Sequence, residues 1–75
     1  MSKREKIIRK IMEERSVSFE EAQSLLIYLG YDERSNGSHH VFTKDNHTPV
    51  NLKKRTELLL YQLKDLQGAL KKNGY

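Results

Sequence analysis

The side chains of this sequence best suited to acid–base chemistry are its three histidines, His39, His40 and His47, which lie close together in the middle of the chain. Histidine takes up and releases a proton near neutral pH, so one positioned imidazole can act as a general acid or base. RNA hydrolysis suits such a sparse site, because the ribose 2′-hydroxyl is itself the nucleophile. The protein then only has to move protons and stabilise charge on the phosphate.

Strand alternation separates the two adjacent histidines. Successive side chains of a strand point to opposite faces of the sheet, so His39 would share a face with Val41 and Thr43, and His40 with Phe42. Because Phe42 is bulky and apolar, we expect its face to be buried, with His40 beside the core. His39 then lies on the open face, where it is either a working group or an ordinary surface histidine.

Other chemistries fit these residues less well. A metal site shared by His39 and His47 is an alternative, but the sequence has no cysteine and no ligand spacing typical of zinc. A serine hydrolase does not fit, because Ser38 and His39 are consecutive and no Gly-x-Ser-x-Gly elbow is present. Because the ligand spacing is poor, we assign no residue as a metal ligand. The sequence also lacks a Walker loop and a dinucleotide fingerprint, so we expect no cofactor.

Length and charge narrow the class of protein. A chain of 75 residues makes one domain, here residues 1–75, and buries only about 60% of the surface of its unfolded form. The net charge is +4; residues 1–15 and 38–75 are basic, and residues 16–37 are acidic. A phosphate backbone is a fitting partner for the basic ends, although solvated lysines are the alternative. No signal peptide or membrane span is recognisable, and we expect a cytoplasmic protein without a membrane partner.

Helical periodicity predicts three helices. Residues 3–14 carry an apolar stripe, and residues 19–29 follow a capping box formed by Ser18 and Glu21. A third helix is predicted over residues 55–72 from leucines spaced by three and four. Within it, Gly68 weakens the helix by roughly 1 kcal/mol relative to Ala.

Between the second and third helices, the pattern predicts strands over residues 31–35, 38–44 and 47–51. Asn36-Gly37 is a strong hairpin signal, and Pro49 places the last strand at an edge of the sheet. Gly37 would let a ligand approach the backbone closely, and the Ser38 hydroxyl can hydrogen-bond a phosphate oxygen. The sequence therefore predicts an α+β fold of order α-α-β-β-β-α, with a three-stranded antiparallel sheet packed on helices.

The segment Gly37-Ser38-His39-His40-Val41-Phe42 resembles the Gly-Ser-His hairpin of HicA-type toxins, which are small mRNA interferases with a double-stranded-RNA-binding-like fold. Residues 18–31, with their Leu-Gly-Tyr ending, are similar to the helix that precedes that hairpin, and a strand carrying Pro49 and a closing helix follow it. The resemblance covers residues 17–73, and residues 1–15 look like an N-terminal addition. At Asn51, many family members carry a histidine instead.

The resemblance implies a toxin of a type II toxin–antitoxin system. It implies that His39 is the catalytic histidine of a metal-independent endoribonuclease acting on mRNA, and that a HicB-type antitoxin binds the protein and masks the site. The alternatives are a catalytically silent RNA-binding module and a protein-interaction domain. The latter would dock through the stripe of residues 7–12 or through the cluster Leu58-Leu60-Tyr61, although core packing also explains both.

Four basic residues are candidate RNA contacts: Lys44, Lys53, Lys54 and Arg55. The last three are predicted to begin the third helix, where positive side chains oppose the helix dipole. That local misfit supports a role in phosphate binding, and an ordinary solvated helix start is the alternative.

Overall fold

Residues 2–75 are described by a computed structural model, which shows three helices and three strands. In chain order they are α1 (Lys3–Met12), α2 (Phe19–Tyr28), β1 (Asp32–Asn36), β2 (His39–Thr43), β3 (Val50–Lys53) and α3 (Leu60–Lys72). The predicted α+β fold and its α-α-β-β-β-α order are confirmed. Over residues 2–75, none of the helices is long and apolar enough to cross a membrane.

The first two helices begin as their sequences dictate. Ser2 caps α1 and Ser18 caps α2, and in each case a glutamate three residues later bonds back to the N-cap backbone. Each capping box satisfies amides that would otherwise lack partners at the helix start. Both helices end within two residues of their predicted ends, and a left-handed residue, Glu14 with φ of 58°, helps turn the chain out of α1.

The sheet is antiparallel, with the strand order β1-β2-β3, and only one of its faces is packed. Phe42, Val50 and Leu52 point from that face into the core and are at most 3% exposed. All three helices contribute to the same core, whose largest fully buried side chains include Ile7, Ile11, Phe19, Leu25, Leu26, Phe42, Leu52, Leu66 and Leu70. One layer of helices on one sheet face is the core that so short a chain can build.

The β1–β2 hairpin is present, but its central turn lies one residue later than predicted. Asn36 is the last residue of β1 and pairs with His39, so the two turn residues are Gly37 and Ser38. Gly37 has φ of 64°, whereas Asn36 and Ser38 do not have positive φ. A glycine with positive φ in the first turn position is typical of a type II′ turn, so glycine is needed at residue 37 but left-handed backbone is not needed at Asn36.

The third strand also starts later than predicted, at Val50 instead of residue 47. The backbone N–H of His47 donates to the carbonyl of Lys44 at 3.0 Å, and Asn46 has φ of 65°, so the predicted Asp45-Asn46 turn extends into a loop. Pro49 has no N–H to pair and directly precedes the strand. As predicted, β3 is an edge strand.

The predicted start of the last helix at residue 55 is wrong, because α3 begins at Leu60. The segment before α3 is held at both ends by backbone hydrogen bonds: Lys54 N–H donates to Ser38 at 2.8 Å, and Leu58 N–H donates to Val17 at 2.9 Å. Leu58 is 7% exposed, and burying it favours this path over a helix. Lys53, Lys54 and Arg55 therefore do not oppose a helix dipole.

Candidate active site

The face of the sheet that carries no helix, the open face, carries His39 on the central strand, at the end of the sheet next to the hairpin turn. Cross-strand pairing assigns to it Asp32, Arg34, Asn36, His39, Val41, Thr43, Asn51 and Lys53. His39 is exposed and lies directly opposite Asn36 on β1 and Lys53 on β3. Directly opposite residues have Cβ atoms about 4.5–5.5 Å apart, so the Lys53 stem starts beside the imidazole.

The hairpin turn lies beside the basic run Lys53, Lys54 and Arg55. The hydrogen bond from Lys54 N–H to the Ser38 carbonyl extends the pairing of β3 with the hairpin by one residue. Gly37, Ser38 and the basic run are all exposed, and within residues 2–75 none of the three cations forms an ion pair. An imidazole, a hydroxyl and unpaired positive charge thus meet at one end of the sheet, where they can bind a phosphate group.

A shallow cleft of about 190 Å³, the His39 cleft, opens between β3 and the start of α3. Its lining includes His39, Asn51 and Lys53 from the sheet and Tyr61 and Asp65 from the helix. Asn51 occupies the position where the HicA resemblance implies a histidine, and it shares this cleft with His39. His40 also lines this cleft, from the packed side of the sheet. Tyr61 and Asp65 add an exposed aromatic ring and a carboxylate to its lining, and sequence reasoning assigned neither to the site.

His40 is held on the packed side of the sheet, as alternation predicted. Its Nδ1 lies 2.7 Å from Glu33 Oε2, and its ring centroid lies 4.7 Å from that of Phe19. The Gln23 amide donates to both Glu33 oxygens, at 2.8 and 3.0 Å, which links α2 to the hairpin. The His40 side chain is 13% exposed, so its first role is to join these elements.

Two candidates from the sequence lie at the other end of β2. Lys44 Nζ donates to the Leu29 carbonyl at 2.7 Å and to Asn73 Oδ1 at 2.6 Å. Its ammonium therefore joins the end of α2 to the end of α3, and we leave Lys44 out of the proposed RNA contacts. His47 Nδ1 lies 2.8 Å from the Asp45 carbonyl, in the loop that follows β2.

The structure does not bring His39 and His47 together as metal ligands. From His39 to Thr43, β2 rises by about 13 Å at 3.3 Å per residue, and His47 lies beyond its far end. In the described part of the chain, no group of three or more His, Asp or Glu side chains could hold a metal ion.

The perturbed carboxylates lie away from the His39 cleft. A backbone hydrogen bond from Ser18 and the neighbouring Lys10 ammonium hold the pKa of Glu21 below its ordinary value, although burial opposes this. Hydrogen bonds from Lys64 and Gln67 likewise lower the pKa of Glu14. Both shifts are caused by contacts that hold the helices in place, so they belong to the packing of the fold.

Sequence reasoning missed two further residues near the site, Arg34 and Tyr61. Strand pairing is needed to find Arg34, and the true start of α3 is needed to find Tyr61. Arg34 is exposed on the open face, two residues along β1 from Asn36, which pairs with His39. Tyr61 was considered only as part of a docking or core cluster; in fact Leu58 of that cluster is buried, while Leu60 and Tyr61 are exposed.

Comparison of the chain with protein-family models, with curated proteins and with solved structures gives no match.

Proposed function

We propose that this protein is an endoribonuclease of the HicA toxin type, which cleaves mRNA without a metal ion and uses His39 as its catalytic residue. The observation that carries the proposal is the exposed His39 imidazole beside Lys53 and the Gly37-Ser38 turn. These are the groups that cleavage of a phosphodiester by its own 2′-hydroxyl requires: a proton-transferring group and positive charge near the phosphate.

In the proposed reaction, the neutral His39 imidazole takes the proton of a ribose 2′-hydroxyl. The 2′-oxygen then attacks the adjacent phosphorus, the bond from phosphorus to the 5′-oxygen breaks, and the leaving 5′-oxygen takes a proton from water. The products are a 2′,3′-cyclic phosphate and a 5′-hydroxyl end. Lys53 stabilises the added negative charge on the phosphate, and Ser38 donates a hydrogen bond to a phosphate oxygen.

The same surface suits the control implied by the HicA resemblance. A HicB-type antitoxin that covered the open face would hide His39 and neutralise the basic run. A protein that cleaves mRNA acts in the cytoplasm, and this is the location we propose. Lys54 and Arg55 would then contact either the RNA backbone or the antitoxin, but not both at once.

A catalytically silent RNA-binding module is the second candidate. It is favoured by one observation: among residues 2–75, His39 is the only histidine on the open face, so that face offers no second imidazole for proton transfer. In that case the protein binds RNA with an affinity that falls as salt rises, because bound phosphates release counterions, but it leaves the RNA intact.

The deciding experiment is induction of the wild-type chain in bacteria, followed by measurement of growth and of mRNA integrity. We expect growth arrest and mRNA degradation with the wild type and with His47→Ala, a matched loss of an imidazole outside the cleft. We expect neither with His39→Ala. Purified wild type should cleave RNA in the presence of a strong chelator, whereas loss of cleavage there would contradict the metal-free mechanism. Full toxicity of His39→Ala would overturn the catalytic assignment.

A further inference from the structure

Three exposed apolar side chains lie at the start of α3: the N-cap residue Leu59 and the first two helical residues, Leu60 and Tyr61, which are 45%, 56% and 60% exposed. Tyr61 differs from the two leucines in one respect: it lines the His39 cleft together with His39, Asn51 and Lys53. An aromatic ring that is open to solvent, and that shares a cleft with a cation and an imidazole, is placed to contact a ligand.

The backbone beneath Tyr61 is firmly held. Its neighbour Gln62 is 1% exposed and accepts a hydrogen bond from Leu59 N–H at 2.8 Å, which closes the first turn of the helix. Leu63 and Leu66 on the next turns are buried in the core. The backbone that carries the Tyr61 ring is therefore already ordered, so a ligand that stacks on the ring does not have to order it first.

We propose that Tyr61 is a stacking platform for one unpaired base of single-stranded RNA, the nucleotide next to the phosphate bound at His39 and Lys53. This inference rests on the proposed function and names its substrate class. Proteins bind single strands by combining cations along the backbone with aromatic rings under the bases, since only unpaired bases expose a full face. A duplex offers no such face to Tyr61.

The charge of Asp65 supports the same orientation. Asp65 lies one turn after Tyr61 on α3 and lines the same cleft, and an ionised carboxylate only accepts hydrogen bonds. It repels a phosphate, but it can accept a hydrogen bond from an N–H group at the edge of a base. The phosphate therefore lies on the Lys53 side of the cleft and the base on the α3 side.

The test uses the fact that the chain has no tryptophan. Tyr61→Trp places a single indole on the proposed platform, and its fluorescence is followed as a non-cleavable 2′-O-methyl RNA strand is added. The matched control is Tyr28→Trp: Tyr28 is 54% exposed, has the Arg4 guanidinium 3.9 Å from its ring centroid, and does not line the cleft. We expect the single strand to quench the Tyr61→Trp signal, and we expect no change with the same sequence as a duplex or with the control.

Affinity measurements give the second readout. Tyr61→Phe should bind the single strand like the wild type, and Tyr61→Ala should bind it roughly tenfold more weakly while unfolding at an unchanged temperature. Unquenched Tyr61→Trp fluorescence on a bound strand, or wild-type affinity of Tyr61→Ala, would refute the stacking. So would the absence of any binding, as expected if Tyr61 contacts a protein instead. Quenching without cleavage by the wild type would leave the stacking intact and remove the catalytic proposal.

Discussion

Replacing the two adjacent histidines one at a time should separate the chemistry of this domain from its stability. His39 is exposed on the open face, and within residues 2–75 its imidazole makes no hydrogen bond and no ion pair. Substitutions at such surface positions usually change the free energy of unfolding by less than about 0.5 kcal/mol. His39→Ala should therefore unfold like the wild type and lose cleavage.

His40→Ala should have the opposite effect. The substitution removes a 2.7 Å contact with Glu33 and the packing of the imidazole against Phe19, in a side chain that is 13% exposed. Glu33 keeps its hydrogen bonds from the Gln23 amide but loses the one with His40. A hydrogen bond to a charged group contributes about 1.5–3 kcal/mol, so we expect a loss of about 2 kcal/mol. In a domain of this size that lowers the midpoint of thermal unfolding by about 10 °C.

The assay is thermal and urea unfolding of both variants, followed by RNA cleavage at a temperature at which each is folded. A double-mutant cycle with Glu33→Gln adds a control: the substitution should be non-additive with His40→Ala and additive with His39→Ala. A folded but inactive His40→Ala, together with an active His39→Ala, would refute the assignment of the two faces. An equal loss of stability in both variants would refute the packing argument.

Two further predictions concern the fold. Gly37→Ala should lower the free energy of unfolding by about 1–2 kcal/mol, because φ of 64° disfavours a side chain even though the space around it is open. Gly68→Ala, in the interior of α3, should raise the free energy of unfolding by up to about 1 kcal/mol. Urea unfolding measures both changes. Glu21, whose pKa is lowered on folding, stabilises the fold fully above its unfolded pKa, and this contribution is lost as pH falls through the lower pKa of the folded state. Glu21→Gln should therefore lose less stability than the wild type on acidification, and an identical pH profile would contradict this.

The sequence predicted most of the fold because its strongest signals are local. The Ser18–Glu21 capping box, the helical stripes and the alternation around Phe42 each concern residues within a few positions of one another. The start of α3 at Leu60 could not be predicted in this way, because it depends on Leu58 N–H bonding to Val17 across the fold. Residues 53–57 are all polar, so no apolar periodicity in the sequence shows that this segment is not helical.

The candidate site was predictable in part for the same reason. The exposure of His39 followed from alternation, but its position opposite Lys53 depends on the register between β2 and β3. Lys44 shows the reverse case: its type suits RNA, but its ammonium is used in joining α2 to α3. Tyr61 became a candidate only once the true start of α3 placed it in the cleft.

Register links the stability of this domain to its proposed chemistry. The two-residue Gly37-Ser38 turn sets Asn36 opposite His39, and every later pair of the hairpin follows from that contact. A slip by one residue would carry Phe42 to the open face and forfeit about 1.5–3 kcal/mol of burial, together with the contact of His40 with Glu33. The burial of Phe42 on the packed face therefore determines that His39, and not His40, lies on the open face. A mutation that loosens the turn should reduce cleavage even though it leaves His39 itself unchanged.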